Sequence, residues 1–179
     1  MIRLIALYGI VAGLIVAAPM IWMMTVREEL PGSVLVGYLT MIVALTAVFL
    51  GIKHYRDKVL GGVIRFGPAL VVGLGISALA STLYVIAWEI SIAFSSVDFA
   101  DTYSKAMIES ARAKGASAAE LQQVTAEAES FFRMYANPLY RMPITFIEMF
   151  PVGVLISLIS AALLRNPRVL PARRTMMGS

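Results

Sequence analysis

The fold is decided first by residues 68–94, which read PALVVGLGISALASTLYVIAWEISIAF. A helix needs roughly 20 residues to cross the hydrocarbon core of a bilayer, and this stretch exceeds that length. Its one charged residue is Glu89. Three further apolar stretches lie at residues 4–26, 34–52 and 142–164. The sequence therefore predicts four membrane-spanning helices, the first of them uncleaved.

The composition supports an integral membrane protein. The chain of 179 residues is 59% hydrophobic and 15% charged, with a mean hydropathy of +0.81. Soluble domains carry about 25% charged residues. Four spans use about half of the chain, so we expect one integral membrane domain over residues 1–179 with one modest extramembrane element. The absence of cysteine excludes disulfides, thiol catalysis and zinc–thiolate sites.

The segment 98–136 between the last two spans predicts a helical hairpin. Phe99, Tyr103 and Met107 recur at four-residue spacing, which is typical of one face of a helix. Ser117 and Glu120 have the spacing of a capping box that starts a second helix. We expect the hairpin to pack on the bundle, with a docking surface or lid as the alternative. The predicted fold is an all-α, four-helix transmembrane bundle with a periplasmic helical hairpin.

The charges are distributed asymmetrically along the chain. The two termini and the loop after the second span hold nine basic residues and one acidic residue. By the positive-inside rule, both termini are expected in the cytoplasm, with the segment 95–141 on the other side of the membrane. No aromatic residues interleave the basic tail, so nucleic acid is not expected as a partner. The residues predicted to contact anionic lipid are Lys53, Arg56, Lys58, Arg165 and Arg168.

Several short motifs occur together along the chain. They are GIKHYRDK at 51–58, GGVIRFG at 61–67, NPL at 137–139, TFIE at 145–148, FPVG at 150–153 and LISA at 158–161. In this order and spacing, they make the chain resemble the bacterial membrane proteins of the domain of unknown function 4199 family. The resemblance covers nearly the whole chain. It implies a small bacterial membrane protein without an assigned activity, and it carries over no catalytic residue.

Small residues recur four positions apart on three of the predicted spans. Such stripes let helix backbones approach closely. They predict contacts inside one four-helix bundle, and a seam between two copies is the alternative. The packing positions are Gly9, Gly13, Gly73, Ser77, Gly153 and Ser157.

Two carboxyl groups lie inside the predicted spans. At 1.5 Å per residue, Glu89 and Glu148 are both roughly 8–9 Å below the outer boundary. Burying a charged group at membrane depth costs about 3 kcal/mol or more. The two carboxyl groups are therefore candidates for a functional site. Glu89, Glu148, Arg141 and Thr82 form the candidate intramembrane site, for a proton, a cation or a small substrate. The structural alternative pairs Glu148 with Arg141, while Glu89 reaches the headgroups.

The motifs of soluble enzymes do not fit this chain. The run GLGISA at 73–78 lies within a span and follows no strand, unlike a dinucleotide fingerprint. His54 lies in a loop away from the membrane serines, and no metal-ligand spacing occurs, so neither catalysis nor a cofactor is expected. We therefore expect a non-enzymatic accessory, assembly or lipid-interacting protein. Its partners would be lipids, a second copy or another membrane protein, and the alternative is a small oligomeric transporter or channel.

Overall fold

Six helices make up the chain in the computed structural model, which describes residues 1–25, 34–94 and 98–171. Four of the helices are long and apolar enough to cross a membrane, which confirms the predicted all-α, four-span bundle. A single π-helical turn, Tyr55–Val59, continues the second helix. The helices are α1 Ile2–Thr25, α2 Val34–His54, α3 Phe66–Phe94, α4 Phe99–Ala113, α5 Ala118–Tyr135 and α6 Pro138–Leu164.

Helix α3 is the centre of the bundle. It packs against α1 on one side and α6 on the other, and α2 contacts all three. The buried core is built from small and aliphatic side chains such as Ala12, Leu45 and Ile76. Exposed leucine, isoleucine and valine side chains cover the outward faces of the same helices. Apolar residues on both faces suit a bundle that is surrounded by lipid.

The small-residue stripes are used inside one chain. A Cβ added to Gly9 would lie 2.7 Å from Leu79 of α3, and one added to Gly13 would lie 2.6 Å from Leu83. The other two stripes, on α3 and α6, face each other. A Cβ at Gly73 would meet Ser157, one at Gly153 would meet Ser77, and the two serine Oγ atoms are 3.2 Å apart. These contacts correspond to the internal packing that the sequence predicts.

We expect Gly13→Ile to lower the midpoint of thermal unfolding in detergent, because the new side chain would push α1 away from α3 and remove close backbone contact. Gly37→Ile is the matched control. Gly37 lies on an exposed face of α2, and no atom lies within 4 Å of a Cβ built there. Equal melting of the two variants would mean that the contact between α1 and α3 is dispensable.

Helices α4 and α5 form the predicted hairpin between the third and fourth spans. The side chain of Asp98 accepts a hydrogen bond from the amide of Asp101 and caps α4. Gly115 turns the chain with a φ of 78°. Ser117 and Glu120 form the predicted capping box at the start of α5. We refer below to the bundle end that carries this hairpin as the outer end, and to the opposite end as the inner end.

Candidate functional site

The start of α6 determines the geometry of the candidate site. Asn137 caps this helix by accepting a hydrogen bond from the amide of Leu139, and Pro138 occupies its first turn. Proline is favoured there because the first amides of a helix have no partner within the helix. The helix thus begins four residues before the predicted boundary at 142. As a result, Arg141 lies within the helix and is buried.

Arg141 forms an ion pair with Glu89 across the contact between α6 and α3. Its Nε donates to Glu89 Oε1 at 2.8 Å, and its Nη2 donates to Oε2. The third nitrogen, Nη1, donates to the backbone oxygen of Tyr135 at 3.1 Å. The side chains are only 11% and 21% exposed. Two parallel hydrogen bonds to one carboxylate form the strong bidentate arrangement that arginine favours. The pair is therefore neutral and holds α3, α5 and α6 together.

Aromatic side chains attach the hairpin to this ion pair. The indole Nε1 of Trp88 donates to the hydroxyl of Tyr135 at 2.8 Å, and the Arg141 guanidinium lies 5.7 Å from the Tyr135 ring centroid. Phe99 packs edge-on against Trp88, with a centroid distance of 4.9 Å. Burial raises the pKa of Tyr135 to about 12, so its phenol stays neutral at physiological pH. The outer aromatic cluster is Trp88, Phe99, Tyr103, Phe131 and Tyr135.

Glu148 is separate from the ion pair. It accepts a hydrogen bond from the hydroxyl of Tyr84, with an oxygen–oxygen distance of 3.3 Å. Tyr84 is buried, whereas Glu148 is exposed on the surface of the bundle. The hypothesis that Arg141 pairs with Glu148 is therefore wrong, because the guanidinium faces Glu89 instead. The hypothesis that Glu89 reaches the headgroups is wrong for the same reason.

Thr82 is not part of this cluster. Its side chain is exposed, and its hydroxyl donates to the carbonyl of Ala78 in the same helix at 2.8 Å. The prediction that it shares a site with Glu89 is corrected accordingly. Sequence spacing placed Thr82 two turns from Glu89 on one helix face. The close packing of α3 against α6 involves a different face.

Hydroxyl groups continue the α3–α6 contact towards the middle of the membrane. Ser81 lies one turn below Tyr84, and within the described residues its buried Oγ has no hydrogen-bond partner. Ser77 and Ser157 form the next contact. Between Ser160 and Arg56, the buried positions are apolar in the part of the chain that the structure describes. They include Ala69, Ala161 and Leu164.

A buried arginine closes the inner end of the bundle. Arg56 has an exposed fraction of 0%, and its Nε donates to Asp57 Oδ1 at 2.6 Å. The guanidinium also donates to the carbonyls of Leu164, Val169 and Leu170, which lie at and beyond the end of α6. Cations are favourable at helix C-termini, where carbonyls lack partners. The prediction that Arg56 contacts anionic lipid is therefore wrong: its guanidinium is turned into the protein.

The other predicted lipid-contact residues differ in accessibility. Lys53 is half-buried and forms an ion pair with Asp57. Lys58, Arg165 and Arg168 are exposed at the inner end. These three side chains stay candidates for contact with anionic headgroups. His54 lies at the same end, where its Nδ1 is 3.0 Å from the hydroxyl of Tyr8.

Several residues that organise the site were not predicted from the sequence. Tyr84, Trp88 and Tyr135 are not among the candidate site residues above, although each carries a polar group that needs a partner when it is buried. That requirement was the available signal for them. Arg56 offered no signal, because it stands among other charged residues in the run 53–58. In the described segments, no group of three or more histidine, aspartate or glutamate residues could hold a metal ion.

Four apolar helices, with their outer ends closed by an ion pair and a helical hairpin, define a multi-pass membrane protein of the helical-bundle class. The chain belongs to the family described as protein of unknown function (DUF4199), which matches residues 7–166. No curated protein and no solved structure matches the chain.

Proposed function

We propose that this protein is a non-enzymatic component of the bacterial inner membrane that acts through its interaction with membrane lipid. The observation that carries the proposal is the position of Glu148, which is exposed on the outside of the bundle at membrane depth. A carboxyl group there meets whatever surrounds the protein, not an internal cavity. Such an intramembrane group usually has a function, because leaving it unused is costly.

The core supports a binding role over transport. The only ion pair within the described α3–α6 contact, Arg141–Glu89, is neutral and is shared among three helices. Below Ser160 the buried positions of the described chain are aliphatic until Arg56 is reached. A transporter needs polar groups along its whole route. In one copy of the chain, the described turn between Ser160 and Leu164 therefore provides no buried polar side chain for such a route.

Flux measurements test this proposal. We expect proteoliposomes containing the purified protein to dissipate proton and potassium gradients no faster than protein-free liposomes. Reconstituted Glu148→Gln protein is the matched control, since glutamine keeps the size of the side chain and removes its charge. A flux above the protein-free level that Glu148→Gln abolishes would replace the proposal with a transport function.

A small oligomeric transporter or channel is the second candidate. It is favoured by the exposed carboxyl of Glu148 together with the unpartnered hydroxyl of Ser81 nearby in the α3–α6 contact. Copies that associate through α6 would bring several such carboxyls into one interface. The flux experiment decides between the two candidates, because only the second requires ion movement.

We also propose that both termini lie in the cytoplasm and that the hairpin lies in the periplasm. Lys58, Arg165 and Arg168 are exposed at the inner end, as the positive-inside rule requires of a cytoplasmic face. We expect a reporter that is active only in the periplasm to be silent when fused after Ser179 and active when inserted near Gly115. The reverse pattern would overturn this orientation.

A further inference from the structure

Two hydrogen-bond acceptors lie next to each other on the exposed face of α6. One is the carboxyl of Glu148, which receives a hydrogen bond from Tyr84. The other is the backbone oxygen of Ile147, a residue that is 63% exposed. Pro151 lies four residues later within the helix and has no amide hydrogen to donate to that oxygen. This surface therefore offers hydrogen-bond acceptors, and a ligand that donates hydrogen bonds would bind there.

A second aromatic side chain lies at the same level on α2. Helices α2 and α6 run parallel. Arg56, which follows α2, contacts the carbonyl of Leu164, and Leu45 lies next to Gly153. In both contacts the residue of α6 follows the residue of α2 by 108 positions, so residues separated by 108 lie at the same height in the bundle. The same offset places Tyr38 level with residue 146, about 3 Å along the axis from Glu148. Tyr38 lies two turns before Leu45, so both residues are on the face of α2 that meets α6. It is 45% exposed.

Glu148 gives this surface an acidic group. Arg141 is two turns from Glu148 on the same helix, but its guanidinium is already bound to Glu89 and to a backbone carbonyl. A carboxylate beside aromatic rings is the combination that recognises organic ammonium groups, through charge and through the faces of the rings. The ligand that fits is therefore a cation with N–H donors.

The position of the surface in the membrane identifies the source of that cation. Glu148 is seven residues below Arg141, a distance of about 10 Å, and the Cα–Cβ bonds of α6 tilt towards its outer end. The carboxyl can therefore reach towards the headgroup region. The surrounding surface is apolar, as acyl chains require. Its exposed side chains include Leu35, Leu39, Ile144 and Ile147.

We propose that Glu148 and Tyr38 bind the primary ammonium headgroup of an outer-leaflet phospholipid, whose acyl chains lie along α2 and α6. The buried Tyr84 positions the carboxyl of Glu148. This inference rests on the proposed lipid-interacting function and specifies its ligand. Phosphatidylethanolamine carries such a headgroup, and phosphatidylglycerol lacks it. The binding is non-covalent and exchanges with bulk lipid.

Lipid selectivity of the full-length protein tests the inference. The protein is reconstituted in nanodiscs of equal parts phosphatidylethanolamine and phosphatidylglycerol, and the retained lipids are counted by native mass spectrometry. We expect an enrichment of phosphatidylethanolamine that falls at least fivefold in Glu148→Gln and in Tyr38→Leu. Tyr140→Leu is the matched control, because Tyr140 is similarly exposed, at 37%, but lies two turns from Glu148. The enrichment of phosphatidylethanolamine by Tyr140→Leu protein should equal that by the parent.

Other outcomes overturn the inference. Equal retention of the two lipids, or an enrichment that survives Glu148→Gln, means that the carboxyl does not select the headgroup. A dimer that dissociates in Glu148→Gln without any lipid preference identifies a second copy as the occupant. Displacement by soluble glycerophosphoethanolamine at millimolar concentration would show that a free amine is sufficient, contrary to a lipid site. Each of these results leaves the flux test of the proposed function unaffected.

Discussion

Arg56→Leu will lower the free energy of unfolding by about 3 kcal/mol or more, the largest loss that we expect from one substitution in this chain. The reason is that the change removes a charged donor from Asp57 and from three backbone carbonyls at and beyond the end of α6. Buried acceptors that lose their donor keep the full cost of desolvation. The loss is measured by denaturant titration in bicelles.

Arg56→Lys separates charge from geometry. Lysine keeps the positive charge but has one ammonium group, which cannot span the acceptors that the planar guanidinium reaches. We expect it to recover less than half of the lost stability. Arg65→Gln is the control, because Arg65 is exposed in the same loop. This variant should unfold at the same denaturant concentration as the parent. Full recovery by lysine would show that charge alone holds the inner end together.

Breaking the Arg141–Glu89 pair is expected to have the second-largest effect. Glu89→Gln and Arg141→Gln should each lower the free energy of unfolding by about 2–3 kcal/mol, since each leaves a partly buried charge without its partner. The double variant should cost less than the sum of the two, with a coupling energy above about 1 kcal/mol. A double-mutant cycle measured by unfolding in bicelles gives this coupling directly.

Glu148 provides the internal control for that cycle. Its hydrogen-bond partner is Tyr84, so its coupling to Arg141 should be below about 0.5 kcal/mol, the usual scatter for independent sites. A strong coupling between positions 141 and 148 would mean that the ion pair exchanges between the two carboxylates in the membrane. It would then restore the pairing that the sequence alone had suggested.

The four spans and the hairpin could be predicted because their signals are local. Length and hydropathy identify a span without reference to its neighbours, and Ser117 with Glu120 marks a helix start within four residues. The start of α6 was placed too late for a local reason as well. Arg141 was taken to end the apolar stretch, but a charge whose partner lies on another helix can be inside the bundle.

The pairing of side chains between helices could not be predicted because it depends on register. Stripes of small residues occur on α1, α3 and α6, and any two of them could have been placed together. In the structure, the contact of Gly73 with Ser157 and of Gly153 with Ser77 fixes how α3 and α6 align. That alignment brings Glu89 to Arg141 and leaves Glu148 outside. A shift of one helical turn would have produced a different set of partners.

The acceptors of Arg56 also constrain how the protein is made. The carbonyls of Val169 and Leu170 follow Arg56 by 113 and 114 residues. At 5–20 residues per second, a ribosome needs roughly 6–23 seconds to synthesise that distance. Throughout this time the arginine lacks two of its final ligands. A nascent chain that stalls before residue 169 therefore lacks the contacts of Arg56 with Val169 and Leu170 that close the inner end.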